Sequence, residues 1–273
     1  MKMRRKILII VLTGLIFLSA AILGVTTVFR IDTVTLNTSK ISAPAEAEAE
    51  ALRERLMDIY DKNSIFTAKR SEAEAIMSEF PYFRITDFKR SYPNRIVVSL
   101  VEDEEVYAVE TAASDGNYYI LSGSGTILGI RENASNRLDG ERNVALQGLT
   151  VSGEKGGTLS GDDALLPMLT LCGKISGTLN GIRGNVVTVR VLYRTSTEDG
   201  MIFSLTMQEG LKIYVYDVMA LTEKKAEALA ERYLSLSDAE RMSGCLMVYE
   251  NKVVPNEITV SYLSEDIDGE LTA

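Results

Sequence analysis

Four consecutive acidic residues, Glu102 to Glu105, are the side chains in this sequence best suited to proton transfer. Two carboxylates act as general acid and base only when their surroundings push their pKa values apart inside a cleft. The acids follow an alternating, strand-like run, and successive side chains of a strand point to opposite faces. Glu102 and Glu104 should therefore diverge from Asp103 and Glu105. We expect a solvated strand end at a domain junction rather than a catalytic pair.

A second catalytic candidate is the S-x-x-K spacing of Ser152 and Lys155. In penicillin-binding proteins and β-lactamases this spacing opens a helix and is accompanied by S-D-N and K-T-G elements. Here glycines flank the motif, and neither accompanying element is present in the sequence. We therefore do not assign Ser152 as a nucleophile.

The absence of histidine restricts the chemistry further. It removes Ser-His-Asp and Cys-His nucleophile activation and the commonest metal ligand. The glycine-rich stretches lack the spacing of phosphate-binding loops. We predict no catalytic residue, no cofactor, no metal and no small-molecule substrate. Cys172 and Cys245 could form one disulfide, but we expect two separately buried thiols.

An uncharged run from Ile7 to Phe29 follows four bases at the N-terminus. A run of roughly 20 apolar residues can span a bilayer, and flanking bases favour the cytoplasmic side. We predict a cytoplasmic stub at 1–6, a transmembrane helix at 7–29 and export of the remainder from the cytoplasm. A cleaved signal peptide is the alternative, but the apolar run exceeds the roughly 7–15 residues of a signal peptide's apolar region.

The exported part is acidic. The chain has 38 acids and 29 bases, and four of the bases precede residue 7, which leaves 25 bases for the remainder. This balance argues against nucleic acid or anionic lipid as the partner. About 240 exported residues exceed one typical domain, so two domains are expected.

Periodicity predicts a small α/β module at 30–102. A short strand is followed by an amphipathic helix, and a second helix begins with a capping box of Ser71 and Glu74. Two strands then flank a turn at Tyr92, Pro93 and Asn94. This order favours a three-stranded sheet covered on one face by two helices.

Residues 103–264 are punctuated by glycines, as is typical of short antiparallel strands. Helices are predicted in "DDALLPMLTLCGKI" and "TEKKAEALAERYLSL", and the last two strands at 246–249 and 258–263. The predicted fold class is α+β, with a βααββ module followed by a mixed α+β domain around a mainly antiparallel sheet. Residues 265–273 are expected to form a flexible tail.

The stretch "FPYFRITDFKRSYPNRIVVSLVEDEEVYAV" resembles the signature of the FtsQ/DivIB family of bacterial division proteins. The most specific matching positions are Arg90, Tyr92, Pro93, Asn94 and Glu102. The stretch departs from the signature at Asp103 and Glu105, where the family favours Arg and Pro. The resemblance implies that 30–102 is a POTRA domain and that 103–264 is the β domain of this family.

The resemblance also implies a non-enzymatic divisome scaffold in the cell membrane, enriched at the division septum. Such a scaffold binds FtsL-like and FtsB/DivIC-like proteins and helps control septal peptidoglycan synthesis. In the family a partner adds a strand beside the last strands and the C-terminal helix. By position, "CLMVYENK" is expected to be the docking edge. The implied contact residues are Tyr249, Met247 and Val248, flanked by Leu229, Arg232 and Tyr233.

Two alternatives stay open at this point. The chain could be a POTRA-bearing export or sporulation-envelope scaffold. It could also be an anchored cell-wall enzyme that uses carboxylates such as Glu102 and Glu104.

Overall fold

The computed structural model describes residues 12–19, 23–24, 26–38, 41–61, 63–111, 116–194 and 200–267. It has mixed α and β structure with sheets of mixed strand orientation, which confirms the α+β part of the predicted fold class. The chain divides after Glu102 into two compact units, 1–102 and 103–273.

The first unit has the predicted order of strand, helix, helix, strand and strand. Its elements are β1 (Thr33–Asn37), α1 (Ala43–Tyr60), α2 (Arg70–Glu74), a 3-10 turn (Met77–Glu79), β2 (Phe83–Ser91) and β3 (Arg95–Glu102). The sheet order is β1-β3-β2, with β1 parallel and β2 antiparallel to β3.

Helix α1 packs on this sheet through apolar residues at three- and four-residue spacing. Its buried positions are Ala45, Ala49, Leu52, Leu56 and Tyr60. They share one core with alternate residues of β3, which are Ile96, Val98 and Leu100. Full burial of each leucine contributes about 2 kcal/mol, so this face holds α1 on the sheet.

The start of the second helix differs from the prediction. The carboxylate of Glu72 accepts the backbone N–H of Lys69 at 3.1 Å, so the helix begins at Arg70. Ser71 therefore lies inside α2, and the predicted capping box of Ser71 and Glu74 is wrong. Glu74 instead accepts a hydrogen bond from Nε of Arg70 at 2.7 Å.

The second unit is built around one large sheet. Its strands are β4 (Glu105–Glu110), β5 (Tyr118–Ser122), β6 (Ile127–Arg131), β7 (Val144–Gln147), β8 (Val186–Arg194), β9 (Met201–Met207), β10 (Lys212–Val215), β11 (Cys245–Glu250) and β12 (Ile258–Leu263). Its helices are α3 (Leu165–Thr178), α4 (Thr222–Ser235) and α5 (Asp238–Arg241).

These nine strands lie in the order β12-β11-β10-β9-β8-β7-β4-β5-β6. Three neighbouring pairs are parallel, namely β4 with β7, β7 with β8, and β10 with β11, and the other five are antiparallel. Helices α3 and α4 contribute Met168, Leu171 and Leu229 to the same core as Phe203 and Val248 of the sheet. The sheet therefore runs from a β6 edge to a β12 edge.

The predicted transmembrane segment, 7–29, falls partly outside the described residues. Positions 12–19, 23–24 and 26–28 are helical, and apolar side chains such as Leu15 and Phe17 are exposed. Within the part of the chain that the structure describes, no helix combines the length and the hydropathy needed to cross a membrane.

Candidate functional site

The acidic stretch does not lie on one continuous strand. β3 ends at Glu102 and β4 begins at Glu105, so the predicted alternation does not continue through Asp103 and Glu104. Glu102 accepts hydrogen bonds from the backbone N–H of Ser42 at 2.6 Å and from its hydroxyl at 2.8 Å. Ser42 precedes α1, where a carboxylate interacts favourably with the helix dipole. Glu102 thus connects the end of β3 to the start of α1.

Glu105 is buried, with 1% of its surface exposed, so the prediction of a solvated acid is wrong at this position. Its carboxylate accepts hydrogen bonds from Nη2 of Arg131 at 2.7 Å and from the backbone N–H of Arg137 at 3.0 Å. The side-chain amide of Asn136 donates to its backbone carbonyl at 2.9 Å. Because the end of β6 and the loop 132–143 that follows it supply these donors, the buried charge is compensated and holds that loop on the sheet.

The other signature residues of the first unit connect its loops. The guanidinium of Arg90 donates twice to the carbonyl of Ala68, at 3.1 and 2.5 Å. The side-chain amide of Asn94 donates to the carboxylate of Asp32 at 2.5 Å. Pro93 lies in the turn between β2 and β3, and Tyr92 is 58% exposed. The signature therefore combines residues that hold loops in place with one exposed aromatic ring.

The predicted docking edge at Tyr249 is wrong, because β11 is an interior strand. It pairs in parallel with β10 and antiparallel with β12. The chain after β11 turns back through Asn251, whose side-chain oxygen accepts the backbone N–H groups of Val253 and Val254 at 2.8 and 3.2 Å. This turn places β12 on the side of β11 opposite β10.

Three of the predicted contact residues are in the hydrophobic core. Val248, Leu229 and Tyr233 are all less than 5% exposed. The hydroxyl of Tyr233 donates to Glu209 at 2.8 Å, and this burial raises its pKa to about 12. These three side chains are inaccessible to a partner in this structure.

The remaining predicted residues, Met247, Tyr249 and Arg232, are half-buried. Because alternate residues of β11 point to opposite faces, Met247 and Tyr249 lie on the face away from the core. Arg232 lies on α4 and donates to the hydroxyl of Ser235 at 3.1 Å. The structure therefore brings Met247 and Tyr249 together and leaves Arg232 on a separate element.

Met247 and Tyr249 line a cavity of about 480 Å³ at the ends of β10 and β11. The other lining residues are Tyr216, Asp217, Glu250, Asn251, Lys252 and Pro255. The hydroxyl of Tyr249 lies 3.2 Å from that of Ser261 on β12, so the cavity and the edge strand are adjacent. Two aromatic rings, a thioether and two carboxylates suit a side chain that carries both apolar and cationic or donor groups.

A buried lysine lies beside this cavity. Lys225 of α4 is 0% exposed, and its Nζ donates to the carbonyl of Asp217 at 2.6 Å. Burial lowers its pKa, and the carboxylates of Asp217 and Glu250 partly oppose that shift. Sequence reasoning missed Lys225, although it lies four residues before Leu229 and therefore on the buried stripe of the helix.

The segment between β10 and α4 contains two residues with left-handed backbone. Asp217 has φ of 43° and Leu221 has φ of 53°. For a residue such as leucine this conformation costs about 1–2 kcal/mol, and such residues cluster at functional sites. The strained segment borders the cavity through Asp217.

Both thiols are buried, and neither forms a disulfide, which confirms the expected separate thiols. Burial raises the pKa of Cys172 to about 12 and also raises that of Cys245, so both favour the unreactive thiol form. Within the described ranges, no group of three or more Cys, Asp and Glu side chains is arranged to hold a metal ion.

Asp266, in the predicted tail, is bonded to the sheet. Its carboxylate accepts a hydrogen bond from the hydroxyl of Tyr214 and pairs with Lys212, both at 2.6 Å. Residues 268–273 of the predicted tail lie outside the described residues.

No protein-family model and no curated protein matches this chain.

Proposed function

We propose that this chain is a bitopic, non-enzymatic scaffold of the FtsQ/DivIB type. In this proposal 7–29 is a transmembrane helix with a cytoplasmic N-terminus, and the rest lies outside the membrane. The scaffold binds FtsL-like and FtsB/DivIC-like proteins and helps control septal peptidoglycan synthesis. The observation that carries the proposal is the outer edge of β12, next to the cavity lined by Tyr249.

Among the described residues, no strand pairs with the outer side of β12, which is the last strand of the sheet. An edge strand presents backbone N–H and C=O groups to which an extended partner segment can add. Ile258, Val260 and Tyr262 pack towards the core, which holds the strand in place. The backbone would then supply affinity, and the adjacent cavity would select the partner's side chains.

The first unit supports the same proposal through its topology and its signature. Its order of strand, helix, helix, strand and strand is the one expected of a POTRA domain. Arg90, Asn94 and Glu102 each make the loop-holding contacts described above. The bonds of Glu102 and Glu105 to structural partners further support a role for these acids in folding rather than in catalysis.

The proposal is tested in dividing cells that carry a fluorescent fusion of the full chain. We expect enrichment at the septum and co-purification of the FtsL-like and FtsB/DivIC-like proteins from detergent-solubilised membranes. A uniform membrane distribution without either protein would contradict the division role. Recovery with secretion or spore-envelope components instead would favour the alternative scaffold.

A further inference from the structure

Three aromatic rings form an exposed cluster at one end of the first unit. The ring centroids of Phe29 and Phe66 are 5.0 Å apart, and that of Tyr92 lies 5.6 Å from Phe66 and 6.5 Å from Phe29. Phe66 is 52% exposed and Tyr92 is 58% exposed. These tilted rings contact one another and are partly or largely exposed, so they present an apolar surface with one polar hydroxyl.

Backbone hydrogen bonds hold the three segments that carry these rings. The backbone N–H of Ile65 donates to the carbonyl of Phe29 at 2.8 Å, and that of Ile31 donates to Asn63 at 3.0 Å. The backbone N–H of Asp32 donates to the carbonyl of Asn94 at 3.1 Å, which joins the turn that carries Tyr92. The cluster is therefore a fixed part of the unit.

Phe29 is also the last residue of the uncharged run that begins at Ile7. The polar layer on each side of a bilayer is about 5–8 Å thick, which is comparable with the spacing of the rings. We propose that the cluster of Phe29, Phe66 and Tyr92 lies in the headgroup layer of the bilayer that holds the anchor. This inference depends on the transmembrane helix of the proposed function.

The chemistry of the cluster matches that layer. Aromatic rings, and tyrosine in particular, concentrate where hydrocarbon meets water, because one end of the ring system is apolar and the other can be hydrated. The ring of Tyr92 and those of the two phenylalanines form such a surface next to the point where the chain leaves the run. Contact there would fix how the first unit is oriented on the membrane.

The local charge agrees with a lipid headgroup, although the exported part is acidic. Lys89, Arg90 and Arg95 lie on the two strands next to the turn that carries Tyr92. The nearby acids are Asp87, which pairs with Lys89, and Asp32, which accepts a hydrogen bond from Asn94. At physiological ionic strength charges are screened beyond about 8 Å. Near this turn the three bases exceed the two acids, and acids beyond the screening distance do not cancel their attraction to phosphate.

The chain contains no tryptophan, so a single introduced tryptophan reports on one position. The full chain carrying Tyr92→Trp is reconstituted in vesicles of phosphatidylcholine and phosphatidylglycerol that contain lipids brominated near the headgroup. We expect the tryptophan emission to be blue-shifted, and we expect the brominated lipid to quench most of its intensity. Phe66→Trp should give the same result from a second ring of the cluster. This second variant keeps the test valid if Tyr92→Trp disturbs the structure locally.

The matched control is Val101→Trp, at the other end of the same hairpin. Val101 is 37% exposed and lies six residues, or about 20 Å, along β3 from Arg95. Its emission should stay unquenched, and equal quenching of both positions would overturn the proposal. Blue-shifted emission of Tyr92→Trp without quenching would also overturn it, because protein rather than lipid would then cover the cluster.

Leu15→Trp, within the uncharged run, separates the two hypotheses. If Leu15→Trp is quenched and Tyr92→Trp is not, the anchor stands and the contact of the cluster with lipid is wrong. If neither is quenched, the anchor itself is wrong and the inference fails with it.

Discussion

The two ends of the nine-stranded sheet differ in how the outermost strand is covered. At the β6 end, Ile127 exchanges backbone hydrogen bonds of 2.8 Å with Gly156 and Gly157, and Thr126 bridges Thr158. At the β12 end, no described segment pairs with the outer side of the strand. The chain thus covers the start of β6 with its own loop, whereas no described segment covers the outer side of β12. The difference indicates which edge can accept a partner.

Each end also contains one buried charged side chain, and the two are stabilised differently. Glu105, near β6, meets the guanidinium of Arg131 and a backbone N–H. Lys225, near β11, has a carbonyl as its hydrogen-bond acceptor, and its pKa is lowered. A compensated charge holds a loop in place, whereas an incompletely compensated one costs stability. We call the β6 end, with its compensated charge, the closed end, and the β12 end the open end. The open end contains the incompletely compensated lysine and the two residues with left-handed backbone.

The largest effect is expected from Glu105→Gln, which opens the closed end. The change leaves Arg131 without its anionic partner, although 29% exposure of the Arg131 side chain lets water replace part of the interaction. Breaking a buried pair costs several kcal/mol, and we expect a loss of about 3–4 kcal/mol in the free energy of unfolding. Urea unfolding of the full chain in detergent measures it.

Glu104→Gln is the matched control for this change, because Glu104 is the adjacent, exposed acid. An exposed substitution of this kind should stay within about 0.5 kcal/mol of the wild type. Equal losses for the two variants would show that net charge, rather than the buried contact, is responsible.

A smaller effect is expected from Gly244→Ala, which disturbs the open end. Gly244 has φ of +75°, and a Cβ there would overlap the carbonyl oxygen of Leu263 in β12. The left-handed backbone and the collision together should cost about 2–3 kcal/mol. Faster hydrogen exchange of the β12 amides would locate the change.

Gly140→Ala isolates the backbone contribution. Gly140 has φ of +73°, but a Cβ there would meet nothing within 4 Å. We expect a loss of about 1 kcal/mol with unchanged exchange in β12. If both alanines cost the same, the contact with Leu263 does not matter for holding β12.

The partner-binding difference between the edges is tested with one lysine on each. Ser261→Lys places a charge on β12 beside Tyr249, and exposed charges discourage strand addition. We expect at least about a tenfold weaker affinity for the FtsB/DivIC-like partner, or about 1.4 kcal/mol. Ile130→Lys, at a 48% exposed position of β6, should leave the affinity unchanged. Equal weakening by both would contradict the assignment of the β12 edge.

Local periodicity was sufficient to predict most elements of the molecule. The alternation in "CLMVYENK" and the helical spacing in "TEKKAEALAERYLSL" indicated β11 and α4 correctly. The neighbours of β11 could not be read in the same way, because pairing depends on contacts between distant segments. The alternation of Met247, Val248 and Tyr249 is the same in an interior strand and in an edge strand. The sequence therefore predicted the strand but not its place in the sheet.

The candidate site was predictable only in part for a related reason. Met247 and Tyr249 were expected from the resemblance, and they do line a cavity. The burial of Glu105 and Lys225 was not expected. The partners of Glu105 lie 26 or more residues away, on β6 and in the loop after it, and the partner of Lys225 is a carbonyl oxygen. Carbonyl acceptors carry no signal in the residue types.

The smallest effect is expected from Lys225→Met, which removes the incompletely compensated charge at the open end. The pKa of Lys225 is lower in the folded chain than in the unfolded chain. At a pH between these two values the unfolded chain therefore binds more protons. The stability of the wild type should therefore rise with pH in the range leading to the unfolded value near 10.4. Methionine has similar volume and no charge, so at pH 7 we expect equal or up to about 1 kcal/mol higher stability.

The advantage of Lys225→Met should shrink as pH rises, because the lysine of the wild type then loses its proton and its cost. Lys224→Met, at the adjacent exposed position of α4, should change neither the stability at pH 7 nor its slope with pH. Urea unfolding at pH 7 and pH 9.5 measures both variants. If Lys225→Met lowers the free energy of unfolding by more than about 2 kcal/mol at pH 7, the hydrogen bond of Lys225 to Asp217 contributes more than the burial of its charge costs. The open end would then be stabilised by its buried charge in the same way as the closed end.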